Sequence, residues 1–321
     1  MDLSSRSINK KGLIRKVINL FSYRNDYIFM KIFSRVYFFK WISLYCHRRN
    51  SDCELAMEVD QRRSSVELMA GATVEKIVSD LRKDGCSANL RLNEEAISDI
   101  RAFADKTSCY AYGNPKEGFK LKDKLSYEKV LNKDILLAKY FNFQDQEVFE
   151  DFRTSSLLRC IAQRYLGEST ECVATQLWWT FPADVDDAVR SKAAHFFHRD
   201  VDAWGFIKFF FYLSDVGEGG GAHVYAKRTH KPSTIDQVFY EKLRINRHHD
   251  SSIIARFGID SVTPFYGRAG TGIAADTFGF HKGESPEKNP RLMLCAVYAN
   301  KDYGVQDFRV DPNSLEEGYI N

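Results

Sequence analysis

The sequence predicts a mainly β domain, an antiparallel sandwich or barrel, carried behind a helical N-terminal half. Three observations lead there. Aromatic residues make up 14% of the chain, with 24 Phe and 16 Tyr, a supply that suits a β-rich core. Before about residue 170, apolar residues recur at helical spacing; after it, short runs rich in Val, Phe, Tyr and Trp alternate with Gly and Asp turns. Hydrophobic residues at 44% and charged residues at 28% are globular values, which excludes wholesale disorder, collagen and coiled coil.

The 321 residues divide into three regions: a basic aromatic helical extension (1–46), a linker (47–72) and the main domain (73–321). Residues 1–50 hold 11 Lys/Arg against 2 acidic residues, an excess of nine positive charges on a body that is net acidic. Such a head suits an anionic partner, and the acidic body excludes nucleic acid as an expected one. Arg24, Lys31 and Arg35 fall on one stripe of a helix. Two placements are open for residues 14–46: packing on the domain through Phe33, Phe38 and Trp41, with the basic stripe in water, or lying at a membrane surface as a peripheral contact. Arg24, Asp26, Lys31, Arg35 and Lys40 interrupt the stretch, so no apolar run long enough to span a bilayer is expected. No secretory signal is found. Seven cysteines without a CxxC read as neither a disulfide framework nor a zinc knuckle, and the expected compartment is a reducing cytoplasm.

Within the domain, Val74, Ile77, Val78 and Leu81 predict a helix from Thr73 that Asp84-Gly85 ends. Asn93 caps a second, with Ala96, Ile97, Ile100 and Phe103 inward. Residues 147–166 read as a third, with Phe149, Phe152, Leu157, Leu158 and Ile161 inward. Strands are expected over 172–181, 195–198, 205–213, 221–225, 272–280 and 292–298.

The segment His195-Phe196-Phe197-His198-Arg199-Asp200 carries the chemistry. On a strand, residues i and i+2 share a face, so His198 and Asp200 project together. His281, at the end of the 272–280 run, is the best candidate for a third ligand. Two His and one carboxylate on one face of a metal form the facial triad of non-haem Fe(II) oxygenases. Arg291 opens the apolar run 292–298, and a charge at the mouth of a buried strand needs a partner; the carboxylate of a bound diacid would serve, as would a structural salt bridge with one of the chain's own acids. Histidines 230, 248 and 249 read as ordinary structural or surface residues.

These elements, in this order, resemble the phytanoyl-CoA dioxygenase-like branch of the Fe(II)/2-oxoglutarate dioxygenases over about residues 74–300. Asp84-Gly85-Cys86 is similar to the family's D-G-F-type turn, and His198-Arg199-Asp200 to its H-x-D. The strand 207–215, the Gly-rich turn 217–222 and Arg228-Thr229-His230-Lys231 look like its N-G-x-L…P-G-S-H-K element. Gly279-Phe280-His281-Lys282-Gly283 through Arg291 looks like its distal H-x-S…R element. The resemblance implies a double-stranded β-helix, a cupin-like jelly-roll supported by N-terminal helices. It also implies Fe(II) on His198, Asp200 and His281, with 2-oxoglutarate and O2 as cosubstrates and Arg291 on the far carboxylate of 2-oxoglutarate. The family's Ser or Thr two residues after the distal His is Gly283 here, so Ser285 or Thr271 is expected to substitute, with Gln176 as a further cosubstrate contact. The family's G-D before that strand is Gly270-Thr271-Gly272, and the first 70 residues have no counterpart. Trp178, Arg199, Trp204 and Lys208 are the candidate substrate contacts.

The expectation is therefore an oxidoreductase that hydroxylates an unactivated C–H bond of a small molecule or a lipid- or sugar-type metabolite, releasing succinate and CO2. Asp200 favours hydroxylation over halogenation, because related halogenases have a small residue there. The alternatives are a non-catalytic jelly-roll that binds a ligand or partner, and a metal enzyme that does not use 2-oxoglutarate.

Overall fold

The computed structural model of the protein describes residues 26–33, 65–167, 169–231, 247–304 and 308–318. Of the expected helical extension, residues 26–33 form a helix (α1); Arg24, Arg35, Phe38 and Trp41 lie outside the described residues. The segment read as a linker ends in a strand, β1 (Val66–Leu68).

The first two helices of the domain follow the sequence reading. Helix α2 (Val74–Asp84) starts at Thr73, whose side chain accepts from the Lys76 amide, and stops at Gly85 in the left-handed conformation, φ 84°. A Cβ at Gly85 would meet the Tyr225 hydroxyl at 2.3 Å, so both conformation and space require glycine. Helix α3 (Glu94–Lys106) is capped by Asn93. The expected helix over 147–166 is instead two, α5 (Glu147–Arg153) and α6 (Ser156–Leu166), after a short α4 (Lys124–Leu131). Ser155 causes the break, because its side chain accepts from the Leu158 amide and starts a new helix. Between α2 and α3, β2 (Cys86–Leu92) was not foreseen; its burial does not alternate cleanly.

The remaining strands are β3 (Cys109–Ala111), β4 (Gly118–Phe119), β5 (Leu137–Lys139), β6 (Glu171–Thr180), β7 (Phe206–Tyr212), β8 (His223–Ala226), β9 (Val262–Phe265), β10 (Thr271–Ala275), β11 (His281–Gly283) and β12 (Arg291–Ala299). They build a nine-stranded sheet, ordered β1-β2-β10-β7-β12-β6-β5-β3-β4, and a three-stranded sheet, β11-β8-β9. Every strand pair is antiparallel. From β6 onward the chain winds between the two sheets. The expected strand at 195–198 is reduced to two isolated bridges, Phe197 to His248 and His198 to His281, which extend the small sheet by one rung.

Strand alternation sorts side chains between two cores. Leu177 and Trp179 on β6, Ile207, Phe209 and Phe211 on β7, and Leu292, Leu294, Ala296 and Tyr298 on β12 pack outward against α2, α3, α5 and α6. Their neighbours Ala174, Phe210, Tyr212, Met293, Cys295 and Val297 face inward and meet Tyr225 of the small sheet. Tyr212 ties the sheets together, donating to the Phe265 carbonyl and accepting from the His223 amide, each at 2.8 Å. The cleft between the sheets is therefore braced at one end and holds the functional side chains.

Helix α1 docks by one face only. Met30 is fully buried with Val201, Ala203, Phe206, Phe278, Ala299 and Tyr303, which stabilises the docking by about 1.5–3 kcal/mol. Lys31, expected in a solvated stripe, is half-buried and donates to the Val201 carbonyl. Ile28, Phe29 and Ile32 stay about half exposed, at 45%, 52% and 50%. Among the described residues Cys86, Cys109, Cys172 and Cys295 are free. Among the described residues no helix is long and apolar enough to cross a membrane.

Candidate metal centre

His198 and His281 face each other across a narrow antiparallel bridge. Each amide donates to the other's carbonyl at 3.0 Å, so both side chains leave the same face, with ring centroids 4.3 Å apart. Asp200 is held two residues on by its amide, which donates to the Thr277 carbonyl at 2.8 Å. One ligand atom from each of His198, Asp200 and His281 lies within 4.8 Å of the others. Asp200 is 3.7 Å from His198 Nε2 and 3.3 Å from His281 Nε2.

The proton inventory of this cluster is informative. Both rings place Nδ1 3.0 Å from the carbonyl two residues before, on Phe196 and on Gly279. A carbonyl only accepts, so Nδ1 carries a proton on each ring and Nε2 is the atom that each turns toward Asp200. Burial, then the neighbouring His281, keeps His198 well below the ordinary histidine range, hence neutral. Burial by itself would raise the Asp200 carboxyl, but Lys208, followed by the two histidines, outweighs it and holds the group ionised, well below the usual range. Three potential metal-ligand atoms thus converge on one point, an arrangement that suits a divalent cation.

Lys208, on the inner face of β7, lies 2.8 Å from Asp200 and 2.8 Å from Asp202. Burial opposes its charge, but the two carboxylates hold its pKa above the usual lysine value. Expected as a substrate contact, it is placed against the acidic corner of the cluster.

Arg291 enters the same cleft from β12 and is buried. It donates to the Gly221 carbonyl and, at 3.0 Å, to the Thr180 hydroxyl. Among the described residues no carboxylate pairs with it, and its Nε has no partner. A Cβ at Gly283 would sit 3.3 Å from Arg291 Nη2, so the missing side chain makes room for the guanidinium. Gly283 is two residues beyond His281, about 7 Å along the strand, which sets the scale between the triad and the arginine.

The other expected contacts separate into two groups. Gln176 and Trp178 share the inner face of β6 with Ala174 and Thr180, and Trp178 packs on the inner core. The rest are placed elsewhere. Thr271 begins β10 and packs on Gly267, while Ser285 bonds His195 Nδ1 at 2.6 Å; the hydroxyl beside Arg291 is that of Thr180, supplied across the β6–β12 pair. Arg199 lies over the Phe280 ring at 4.2 Å, on the side opposite its ligating neighbours. Trp204 packs near α1, 6.1 Å from the Phe29 ring. Sequence reasoning also missed His195 and His223, buried imidazoles of the same cleft, because neither stands at a recognisable spacing from the H-x-D. Burial, then Arg291, lowers His195 to about 3.

A separate cavity of about 650 Å³ is lined by Tyr112, Leu137, Lys139, Asp184, Val189 and Lys192, among others, and by none of the triad residues. Leu137 and Lys139 are the register partners of Thr180 and Trp178.

No protein-family model matches the sequence, and no curated protein matches it. Among solved structures it is similar to the non-haem α-ketoglutarate-dependent epimerase SnoN from nogalamycin biosynthesis (TM-score 0.47, 13% identity, 72% of this chain and 86% of that one). It is also similar to HygX from Streptomyces hygroscopicus with nickel and 2-oxoglutarate bound (0.47, 12%, 71% and 87%), and to EctD from S. alaskensis with bound Fe (0.44, 13%, 81% and 98%). Likeness of this degree leaves the chemistry to be judged from the chain's own residues.

Proposed function

We propose that the chain is an Fe(II)- and 2-oxoglutarate-dependent oxygenase of the phytanoyl-CoA dioxygenase-like type, built on a double-stranded β-helix. The observation that carries this is a pair in one cleft: a converging His198, Asp200, His281 cluster and, two strand residues away, a buried arginine that forms no ion pair with a carboxylate among the described residues. The donor set suits a first-row divalent metal, and the arginine suits one end of a diacid.

His198, Asp200 and His281 would hold the iron, with Phe196 and Gly279 fixing the two imidazole tautomers through Nδ1. Lys208 keeps Asp200 ionised and aimed. Arg291 would take the far carboxylate of 2-oxoglutarate, with Thr180 steering the guanidinium. When bound, the metal and the keto acid supply the oxidising chemistry. The chain's part is to orient the ligands, bind the diacid in one direction and exclude water, as the apolar Phe210, Met293 and Ile273 do around the cleft. Asp200 fills the third ligand position, which favours hydroxylation over halogenation.

The substrate class that fits is a small molecule, or a lipid- or sugar-type metabolite, received against the inner face of β6 that Gln176 and Trp178 share. The nine-charge excess of residues 1–50 and the outward Ile28, Phe29 and Ile32 support peripheral contact with an anionic membrane. The test of the activity is succinate formation on adding Fe(II) and 2-oxoglutarate in air, which the wild type should show and Asp200→Ala should not. Absence of succinate from a metal-loaded wild type, screened with candidate substrates, would refute the reading.

A further inference from the structure

One buried polar group of the cleft serves neither the triad nor Arg291. His223, on β8, is the register partner of Gly283 on one side and Phe265 on the other. Directly opposed residues share a face, so its ring projects inward over the bare Gly283 position. That position lies between His281 and Arg291. The ring stacks on Phe210 of the large sheet, centroids 4.5 Å apart, and lies 5.7 Å from the His281 ring. His223 is 4% exposed, and its Nε2, at the far edge of the ring, has no hydrogen-bond partner among the described residues.

A histidine retained only for packing would have its ring nitrogens satisfied, since a buried unpaired polar atom is costly. Phenylalanine would stack on Phe210 equally well without that cost. The metal cluster does not claim the ring either, because the ligand atoms that gather are those of His198, Asp200 and His281. What remains is the span between metal ligands and arginine, where the proposed diacid would lie. We infer that His223 is a cosubstrate-binding residue whose Nε2–H donates a hydrogen bond to the bound dicarboxylate between its metal end and its Arg291 end. The inference rests on the 2-oxoglutarate reading of the site. It adds a second point of recognition that fixes the diacid's rotation as well as its reach.

The test uses the full chain loaded with redox-silent Mn(II), with 2-oxoglutarate binding followed by calorimetry and Mn(II) binding by electron paramagnetic resonance. His223→Phe keeps the stacking and removes the donor; it should weaken 2-oxoglutarate binding about ten- to hundredfold, the range for a hydrogen bond to a charged group, and leave Mn(II) affinity unchanged. His223→Gln restores an N–H and should recover most of the loss. Equal 2-oxoglutarate affinity in wild type and His223→Phe would overturn the inference, as would parallel loss of Mn(II), which would place His223 in the metal shell. A wild type that binds Mn(II) but no 2-oxoglutarate would instead sink the proposed function itself. A check without substitution is nitrogen-15 spectroscopy of the Zn(II)-loaded wild type: a histidine ring N–H should become protected from exchange when 2-oxoglutarate is added, and no response would refute the contact.

Discussion

Replacing Lys208 with methionine removes a charge while keeping most of the side chain's volume. In the wild type the ammonium lies 2.8 Å from both Asp200 and Asp202, and the lysine and Asp202 side chains are 9% and 6% exposed. Without it, two carboxylates in a largely buried corner lose the ammonium that they share. Breaking such a pair from one side costs about 3–5 kcal/mol, and the methionine stem keeps the packing cost small. For a domain of this size that is a fall in melting temperature of about 6–20 °C. The assay is thermal unfolding of the metal-free protein followed by circular dichroism, repeated with Mn(II). The cation should raise the melting temperature more in Lys208→Met than in the wild type, because it then neutralises a carboxylate that no lysine shares. A metal-free variant melting within about 2 °C of the wild type would refute the claim that Lys208 sustains the acidic corner.

Arg291→Ala should weaken 2-oxoglutarate binding at least about tenfold while Mn(II) affinity holds, since the contacts are separate; parallel loss of both would make the arginine structural. Burial keeps His195 at about 3 when folded, against about 6.5 when unfolded, so below pH 6.5 the unfolded chain takes up the proton and stability falls as pH falls. The metal-free wild type should lose about 2 kcal/mol from this group between pH 7 and pH 5 in urea melts, and His195→Phe should remove that share; an unchanged pH dependence would contradict it. Flotation with phosphatidylserine vesicles should recover the full chain at low salt and lose it at high salt. Replacing Ile28, Phe29 and Ile32 with serine should abolish recovery, and no flotation of the wild type would remove the membrane role.

The sequence disclosed those parts of the fold that depend on periodicity or a local cap. Thr73, Gly85 and Asn93 mark helix ends by chemistry within three residues, and the long strands β6, β7 and β12 carry enough apolar residues to be seen. Strands of two to four residues, such as β4 and β11, are too short for any period, and their existence depends on neighbours distant in sequence. Ser155 split a helix whose apolar pattern runs straight through it, because a local side-chain bond outweighed the period. Of the site, the H-x-D was legible since i and i+2 share a face in any extended segment, even one held by two bridges. Thr180 and His223 were not, because they reach the cleft only through strand register. Arg199 and Trp204 were drawn in by nearness in sequence, although alternation turns Arg199 to the opposite side and α1 covers Trp204.

A crystal structure of the full chain grown with Mn(II) and 2-oxoglutarate tests the site most directly. One metal should be bound by Nε2 of His198, Nε2 of His281 and the Asp200 carboxylate, with the keto acid end of the diacid on the metal and its far carboxylate on Arg291. A metal on other residues, or a diacid that avoids Arg291 while the triad is filled, would contradict the account.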